Sequence, residues 1–127
     1  VHPSVVRAAF RMLGSGRIIL VSDSMRGTGM PDGTYTLGGS AVRVKGRRAT
    51  RAADGTLAGS VTDLMDCLRT AVKEMGISLE EAVTCAAVNP AKSLGEYGTY
   101  GSISPGKIAN LVLLYIVLDV RAGFKVG

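Results

Sequence analysis

The spacing of hydrophobic and polar residues changes along the chain, and each change predicts a new kind of element. Apolar residues at helical spacing, with Pro3 in the first turn, predict a short helix over residues 1–13. An apolar run over residues 17–22 then predicts a strand buried on both faces, as in parallel sheets. Helix, short turn and buried strand make half of an α/β repeat, so this part of the chain indicates an α/β fold.

The middle of the chain has a period of two, interrupted by glycine-rich turns. This alternation predicts short strands over residues 34–37, 41–45 and 49–53. Because the surrounding stretch, residues 26–59, is long and dense in glycine, it indicates a functional loop region rather than a simple connector.

Helical spacing returns after this loop region. Residues 61–75 carry one apolar stripe, and Ser60 with Asp63 is predicted to cap that helix. A second helix is predicted over residues 78–88, opened by a stronger capping box. Asn89 and Pro90 are expected to break it, with a short turn of helix through Leu94 after the break. The tail then changes character, and its pattern predicts two partner strands, residues 109–118 and residues 120–126.

One carboxylate stands where the predicted strand of residues 17–22 ends. Asp23 would then be exposed at the carboxyl edge of the sheet, which is where α/β enzymes place their chemistry. The alternative is that Asp23 only caps the next element or turn. Its position in the sequence does not decide between these two interpretations.

Composition excludes several classes of protein. The chain has 127 residues, 46% hydrophobic and 20% charged, which predicts one modest folded domain rather than disorder. Its longest apolar run, residues 111–118, is too short to span a membrane. The net charge is +5, and the densest basic cluster is Arg43, Lys45, Arg47, Arg48 and Arg51. Since no aromatic residue interleaves with this cluster, a solvated hairpin is favoured over a nucleic-acid surface.

Cysteine and histidine are too few for a conventional metal site. Cys67 and Cys85 each fall among apolar neighbours in a helical pattern, which predicts buried free thiols in a reducing compartment. His2 is the only histidine, and its place beside Pro3 predicts a surface or helix-start residue. We therefore expect this chain alone to bind no catalytic metal ion.

Five short motifs occur in a fixed order. They are LVSDSM at residues 20–25, DGTYTLGG at 32–39, DGTLAGS at 54–60, AVNPA at 87–91 and GSISPGKIANLV at 101–112. Together they resemble the C-terminal part of the N-acetylglucosamine-6-phosphate deacetylase family, in the amidohydrolase superfamily, over essentially the whole chain. The fourth and fifth motifs are shared widely in that superfamily, whereas GTLAGS is more specific. The tail departs from the family pattern at Asn110 and Tyr115, where the family usually has acidic residues.

The resemblance implies an α/β fold, namely the C-terminal part of a (β/α)8 barrel plus strands of a small β domain. Residues 1–95 would be the barrel part with its β-rich loop insertion, and residues 96–127 the strands of the small domain. The implied enzyme is a metal-dependent hydrolase that converts N-acetylglucosamine 6-phosphate to glucosamine 6-phosphate and acetate, in amino-sugar catabolism. The alternative is a non-catalytic binding or assembly module on the same scaffold.

The resemblance also implies roles for four residues of this chain. Asp23 matches the family's catalytic aspartate, which takes a proton from water and returns it to the leaving amine. Leu57, Ala58 and Gly59 match a loop that contacts the N-acetyl sugar. The family's metal ligands, for zinc or iron, and its phosphate-binding arginine would lie before Val1. No cofactor is therefore expected in this chain, which should be inactive alone.

The expected partners follow from the same resemblance. In the complete enzyme the substrate would be a sugar phosphate, and no nucleic acid or membrane is expected. An incomplete barrel leaves strand edges and apolar faces uncovered, so we expect them to be covered by a missing N-terminal half or by self-association. The protein is expected to be a cytoplasmic homo-oligomer.

Overall fold

The structure is a computed structural model in which residues 1–115 and 118–125 are described. It contains helices and short antiparallel strands, which confirms the α/β class predicted from the sequence. The chain divides into two compact units, one formed by Val1–Leu20 with Leu68–Gly127 and the other by Val21–Cys67. Among the described residues, no helix is both long and apolar enough to cross a membrane. The domain boundary expected at residue 95 stays a prediction.

The first unit begins with helix α1, Pro3–Leu13, as the sequence predicts. Its N-cap is His2, whose Nδ1 accepts a 3.3 Å hydrogen bond from the Ser4 amide. The helix buries Phe10 and ends at Gly14, whose φ of 73° a residue with a Cβ adopts only at a cost. The only histidine of the chain is thus used at a helix start, in agreement with the sequence-based expectation.

The strand predicted over residues 17–22 is not formed by the described part of the chain. A 3₁₀ turn, Ser15–Arg17, is followed by residues 18–22, which pair with no strand among the described residues. Ile19 is 41% exposed and Val21 is 72% exposed, so this apolar run is not buried on both faces. The physical reason is that a parallel strand needs neighbours from distant parts of a chain, and the described residues supply none.

Helix α2, Leu64–Lys73, starts three residues later than predicted. Its cap is Asp63, whose Oδ1 accepts from the Asp66 amide at 2.7 Å, while the Asp66 carboxylate accepts from the Asp63 amide at 3.3 Å. The predicted cap at Ser60 is therefore wrong. The Ser60 hydroxyl instead bonds to Thr62, and its backbone is paired with an earlier segment.

A continuous run of three helical segments follows in the first unit. Helix α3, Leu79–Val83, has the predicted capping box between Ser78 and Glu81. It passes into a π-helical turn, Thr84–Val88, and then into helix α4, Asn89–Ser93. The short turn of helix expected through Leu94 is present as α4, but no break precedes it, because the proline lies in the first turn of α4 and the helical run continues through it.

The described tail forms a two-stranded antiparallel sheet, β4 (Leu111–Leu114) with β5 (Val120–Phe124). Both predicted tail strands are present among the described residues but shorter, and residues 116, 117 and 126 of the predicted strands lie outside the described residues. Arg69 of α2 holds the connection between them, because its Nε donates to the Leu118 carbonyl at 3.0 Å and its guanidinium lies 3.6 Å from the Asp119 carboxylate.

The second unit is built on a three-stranded antiparallel sheet in the order β1-β2-β3. The strands are β1 (Gly33–Leu37), β2 (Ser40–Lys45) and β3 (Arg48–Arg51), close to the bounds that the alternation predicts. One face is buried in a core of Met25, Val42, Val44, Ala49 and Ala58, with Tyr35 and Val61 at its edge. Arg43 and Lys45 lie on the exposed face, as expected for a solvated hairpin.

Candidate functional site

The two sequence-predicted parts of the site meet in the second unit. The Ser60 amide donates to the Asp23 carbonyl at 2.9 Å, and the Met25 amide donates to the Ser60 carbonyl at 2.9 Å. Ser24 and Ser60 thereby form a parallel bridge. The chain on either side of Asp23 is thus joined directly to the end of the loop Leu57, Ala58 and Gly59.

Asp23 has an unusual backbone and an open side chain. Its φ is 52°, in the left-handed region that residues with a Cβ rarely adopt and that aspartate tolerates better than most. The residue is exposed, and its carboxylate accepts no hydrogen bond from any residue that the structure describes. A capping role would require such a bond, whereas a carboxylate that exchanges a proton with a ligand must be accessible.

Hydroxyl groups that sequence reasoning did not single out hold this backbone. Ser24 Oγ donates to the Thr62 carbonyl at 2.7 Å, and Thr28 Oγ1 donates to the Ser60 carbonyl at 3.2 Å. The Met25 amide also contacts Thr28 Oγ1 at 3.2 Å, and the Met25 side chain is buried in the core. Only their place within or beside two motifs could have indicated these residues, since isolated serines and threonines are common in loops.

The three loop residues that the sequence analysis singled out, Leu57, Ala58 and Gly59, differ sharply in what they expose. Leu57 is 68% exposed, whereas Ala58 is 6% exposed and belongs to the core, so Ala58 offers a ligand only its backbone. Gly59 has a φ of 69°, and a Cβ there would lie 3.6 Å from the Asp23 carbonyl oxygen. Backbone conformation alone therefore accounts for a glycine at this position.

A cleft of about 380 Å³ opens on the same unit. Its lining residues are Leu37, Gly38, Ser40, Val42, Arg51, Leu57, Ala58 and Gly59. The lining is mixed, with aliphatic side chains from the sheet and loop, and Arg51 is its one charged residue. Because Gly59 borders both this cleft and the Asp23 backbone, the loop connects the cleft to the carboxylate segment.

A second aspartate of this unit shows what a purely structural carboxylate looks like. Asp54 Oδ1 accepts from the Thr56 amide at 3.0 Å and from the Thr56 hydroxyl at 2.7 Å. These hydrogen bonds, helped by the charge of Arg51, lower the pKa of Asp54. Asp54 therefore completes a turn with its own neighbours, which Asp23 does not.

The prediction of buried free thiols is confirmed in part. Both cysteines are free thiols, Cys85 buried and Cys67 half-buried, and burial raises the pKa of each. Within residues 1–115 and 118–125, no three His, Cys, Asp or Glu side chains come together to hold a metal ion. The donor set present therefore does not fit a catalytic metal.

The fold and this site define a class of protein. The model of the amidohydrolase family matches residues 8–124, and the chain belongs to that family. Two curated relatives match most of this chain but different shares of their own length. The chain is 39% identical over 113 residues to the N-acetylglucosamine-6-phosphate deacetylase of Bacillus subtilis, covering 89% of this chain and 28% of that protein. It is 40% identical over 121 residues to a putative N-acetylgalactosamine-6-phosphate deacetylase of Escherichia coli K12, covering 95% and 71%.

Solved structures agree with these relatives. The N-acetylglucosamine-6-phosphate deacetylase of Pasteurella multocida superimposes with a TM-score of 0.92 at 27% identity, over 98% of this chain and 32% of that one. An aspartate-to-alanine mutant of the Mycobacterium smegmatis deacetylase, in complex with N-acetyl-D-glucosamine-6-phosphate, gives a TM-score of 0.90 at 35% identity, over 98% and 33%. The chain thus spans about a third of these structures, and the resemblance drawn from its motifs is confirmed.

Proposed function

We propose that this chain is the part of an N-acetylglucosamine-6-phosphate deacetylase that supplies the proton-transfer carboxylate and a sugar-contacting loop. The observation that carries the proposal is the backbone pairing of Asp23 and Met25 with Ser60. It joins the backbone at Asp23, whose side chain is exposed, to the end of the loop that contains Leu57 and Gly59, within one unit. Relatives that bear this activity in their names support it.

The proposed chemistry is hydrolysis of the acetamide bond. The Asp23 carboxylate takes a proton from the attacking water as the oxygen bonds to the amide carbonyl carbon. The same carboxyl group then gives that proton to the departing nitrogen as the C–N bond breaks. The products are acetate and the free amine of glucosamine 6-phosphate. Leu57 and the backbone of Ala58 and Gly59 hold the N-acetyl sugar in place during both steps.

The rest of the proposed enzyme lies outside this chain. Because the described residues do not fit a metal site, we place the zinc or iron ligands and the phosphate-binding arginine in the remaining two thirds. The same part would complete a (β/α)8 barrel by adding strands beside residues 18–22, which would bury Ile19 and Val21.

Location and assembly belong to the same proposal. Two free thiols support a reducing compartment, so we place the enzyme in the cytoplasm. Exposed apolar side chains such as Met12, Ile103 and Phe124 support burial against further chain or a second copy, and we propose a homo-oligomer.

The test uses the metal-loaded protein expressed from its complete reading frame. Acetate release from N-acetylglucosamine 6-phosphate is expected, and the galactosamine isomer should be measured beside it because a relative is named for that substrate. Asp23→Asn should lower kcat by about 10²- to 10⁴-fold while substrate binding persists, since proton transfer contributes that much. Asp54→Asn is the matched control and should keep near-normal turnover.

Two results would remove the assignment. Near-normal kcat of the Asp23→Asn protein would show that Asp23 is a turn residue only. Absence of acetate release from either sugar phosphate by the metal-loaded wild-type protein would overturn the proposed activity itself.

A further inference from the structure

Thr28 lies in a tight turn of the second unit, close to Asp23 in sequence. The Thr28 amide donates to the Met25 carbonyl at 2.9 Å and closes the turn. Gly27 is buried within it, and a Cβ there would lie 2.9 Å from Val44 Cγ2 and 3.2 Å from Tyr35 Cδ2. The Gly27 amide also donates to Met25 Sδ at 2.9 Å. The turn is therefore packed closely against β1 and β2, which gives the Thr28 side chain a defined starting point.

The Thr28 hydroxyl joins two segments of this unit. Its Oγ1 donates to the Ser60 carbonyl at 3.2 Å and accepts from the Met25 amide at 3.2 Å. A hydroxyl has one donor and two acceptor lone pairs, so one side chain can make both bonds. The Met25 amide also donates to the Ser60 carbonyl, and the Ser60 amide donates to the Asp23 carbonyl, each at 2.9 Å. The hydroxyl thus adds two hydrogen bonds to the backbone pairing at Asp23.

The loop that contains Leu57 and Ala58 has a separate attachment to the sheet. The Ala58 amide donates to the Ala49 carbonyl at 3.1 Å, and Leu57 forms an antiparallel bridge with Thr50. Both partners belong to β3. Because these contacts involve only the loop and β3, the loop keeps its place on the sheet without the Thr28 hydroxyl.

We propose that Thr28 is a positioning residue for Asp23. Its hydroxyl sets the register of the Asp23 backbone against a loop that β3 already holds. A carboxylate moves with the backbone that carries it, and the φ of 52° at Asp23 is a conformation that surrounding contacts must maintain. Thr28 itself touches neither substrate nor metal in this account, and the inference rests on the proposed role of Asp23.

The two separate attachments lead to a specific kinetic signature. A displacement of about 1 Å at a reacting group can cost about 100-fold in rate. Loss of the Thr28 hydroxyl leaves the hydrogen bond between Met25 and Ser60 in place, so we expect a smaller displacement and a fall in kcat of about 10-fold. KM should stay within about twofold, because the loop remains on β3 and its sugar contacts are kept.

Thr28→Val is the most informative variant, because it keeps the branched shape and removes the hydroxyl. The metal-loaded protein expressed from its complete reading frame should show the expected fall in kcat with N-acetylglucosamine 6-phosphate. Thr28→Ser keeps the hydroxyl and should hold kcat within about twofold of wild type. Thr34→Val is the matched control, since it makes the same chemical change at an exposed position of β1 and should leave kcat unchanged.

A second variant covers the case in which Thr28→Val yields no folded protein. Thr28→Ala also removes the hydroxyl but places no new methyl group where it stood, and it should show the same loss of kcat. If neither variant folds while Thr28→Ser does, the hydroxyl is needed for folding and the positioning role is overturned.

Hydrogen exchange provides a readout that needs no activity. In wild-type protein the Met25 and Ser60 amides should exchange slowly, because both are held in the pairing. Thr28→Val should speed exchange in peptides covering residues 23–30 and 58–62 more than Thr34→Val does.

Several results would overturn the proposal. They are wild-type kcat in Thr28→Val, a rise in KM as large as the fall in kcat, a loss of kcat in Thr28→Ser equal to that in Thr28→Val, or exchange no faster than in the Thr34→Val control. Absence of activity in the wild-type protein would count against the proposed function instead, while the exchange comparison would still test the link that Thr28 makes.

Discussion

The three-stranded sheet and the apolar segment of residues 18–22 before Asp23 both contain branched apolar residues, yet only the sheet completes its own structure. Strands β1, β2 and β3 pair with sequence neighbours through short turns, and Val42 is fully buried. Residues 18–22 find no strand partner among the described residues, and Val21 is 72% exposed. Antiparallel hairpins are local structures, whereas a parallel strand depends on distant ones. Branched apolar side chains are therefore buried where the strands pair with sequence neighbours and left partly exposed where no strand partner is present.

The largest expected effect tests this difference directly. In the 127-residue chain, Val42→Ala should lower the free energy of unfolding of the sheet by about 2 kcal/mol, since two buried methyl groups and their packing are lost. Ile19→Ala should cost less than about 0.5 kcal/mol, because Ile19 is 41% exposed. Urea denaturation measures both. In the complete protein the cost of Ile19→Ala should rise towards 2–4 kcal/mol if new strands cover it. Equal losses of unfolding free energy for Val42→Ala and Ile19→Ala in the 127-residue chain would contradict the difference between the two regions.

The next effect concerns the loop that joins the sheet to Asp23. Gly59→Ala should lower stability by about 1–2 kcal/mol, because a left-handed backbone brings the new Cβ too close to the following carbonyl. Gly16→Ala is the control, since Gly16 has no positive φ and open space around it, and it should be neutral or slightly stabilising. Thermal unfolding of both variants provides the test. A neutral Gly59→Ala would show that the loop can relax away from the Asp23 carbonyl.

The smallest expected effect is the pH dependence of the contribution that Asp54 makes to stability. The folded-state pKa of Asp54 is lowered by its bonds to Thr56, so its contribution to stability is present above the unfolded pKa and is lost as the pH falls through the folded pKa. The stability difference between wild type and Asp54→Ala should therefore be visible at pH 7 and should vanish in strong acid. Denaturation curves at several pH values measure it. A difference that persisted in acid would mean that Thr56 holds the turn without the carboxylate charge.

Local signals in the sequence predicted most of the fold. The hairpin strands, the capping box of Ser78 with Glu81, and the helix that begins after His2 all depend on residues within a few positions of each other. The predictions that failed involve contacts between residues that are distant in sequence. Ser60 does not cap α2 because its backbone pairs with the segment around Asp23.

The prediction of a helix break at Asn89 and Pro90 failed for a similar reason. Proline after asparagine ordinarily predicts a helix end, but the π-helical turn accommodates it and turns the Asn89 side chain towards the Ser15 and Ile18 carbonyls. That role depends on residues more than 70 positions earlier and has no local signature. Asp23 and Leu57 could be singled out because the family resemblance implies roles for them, whereas it implies no role for Ser24, although that residue lies within a motif, or for Thr28, which lies outside the motifs.

The pairing of Asp23 and Met25 with Ser60 has a practical consequence for protein engineering. It holds together the two ends of the intervening segment, residues 26–59. A turn in the middle of that segment can therefore change length while the ends stay fixed. The turn between β1 and β2, where Gly38 and Gly39 have open space around them, is therefore the natural place to graft a peptide or a fluorescent label. A reporter placed there would sit at the rim of the cleft and could follow ligand entry without altering the carboxylate.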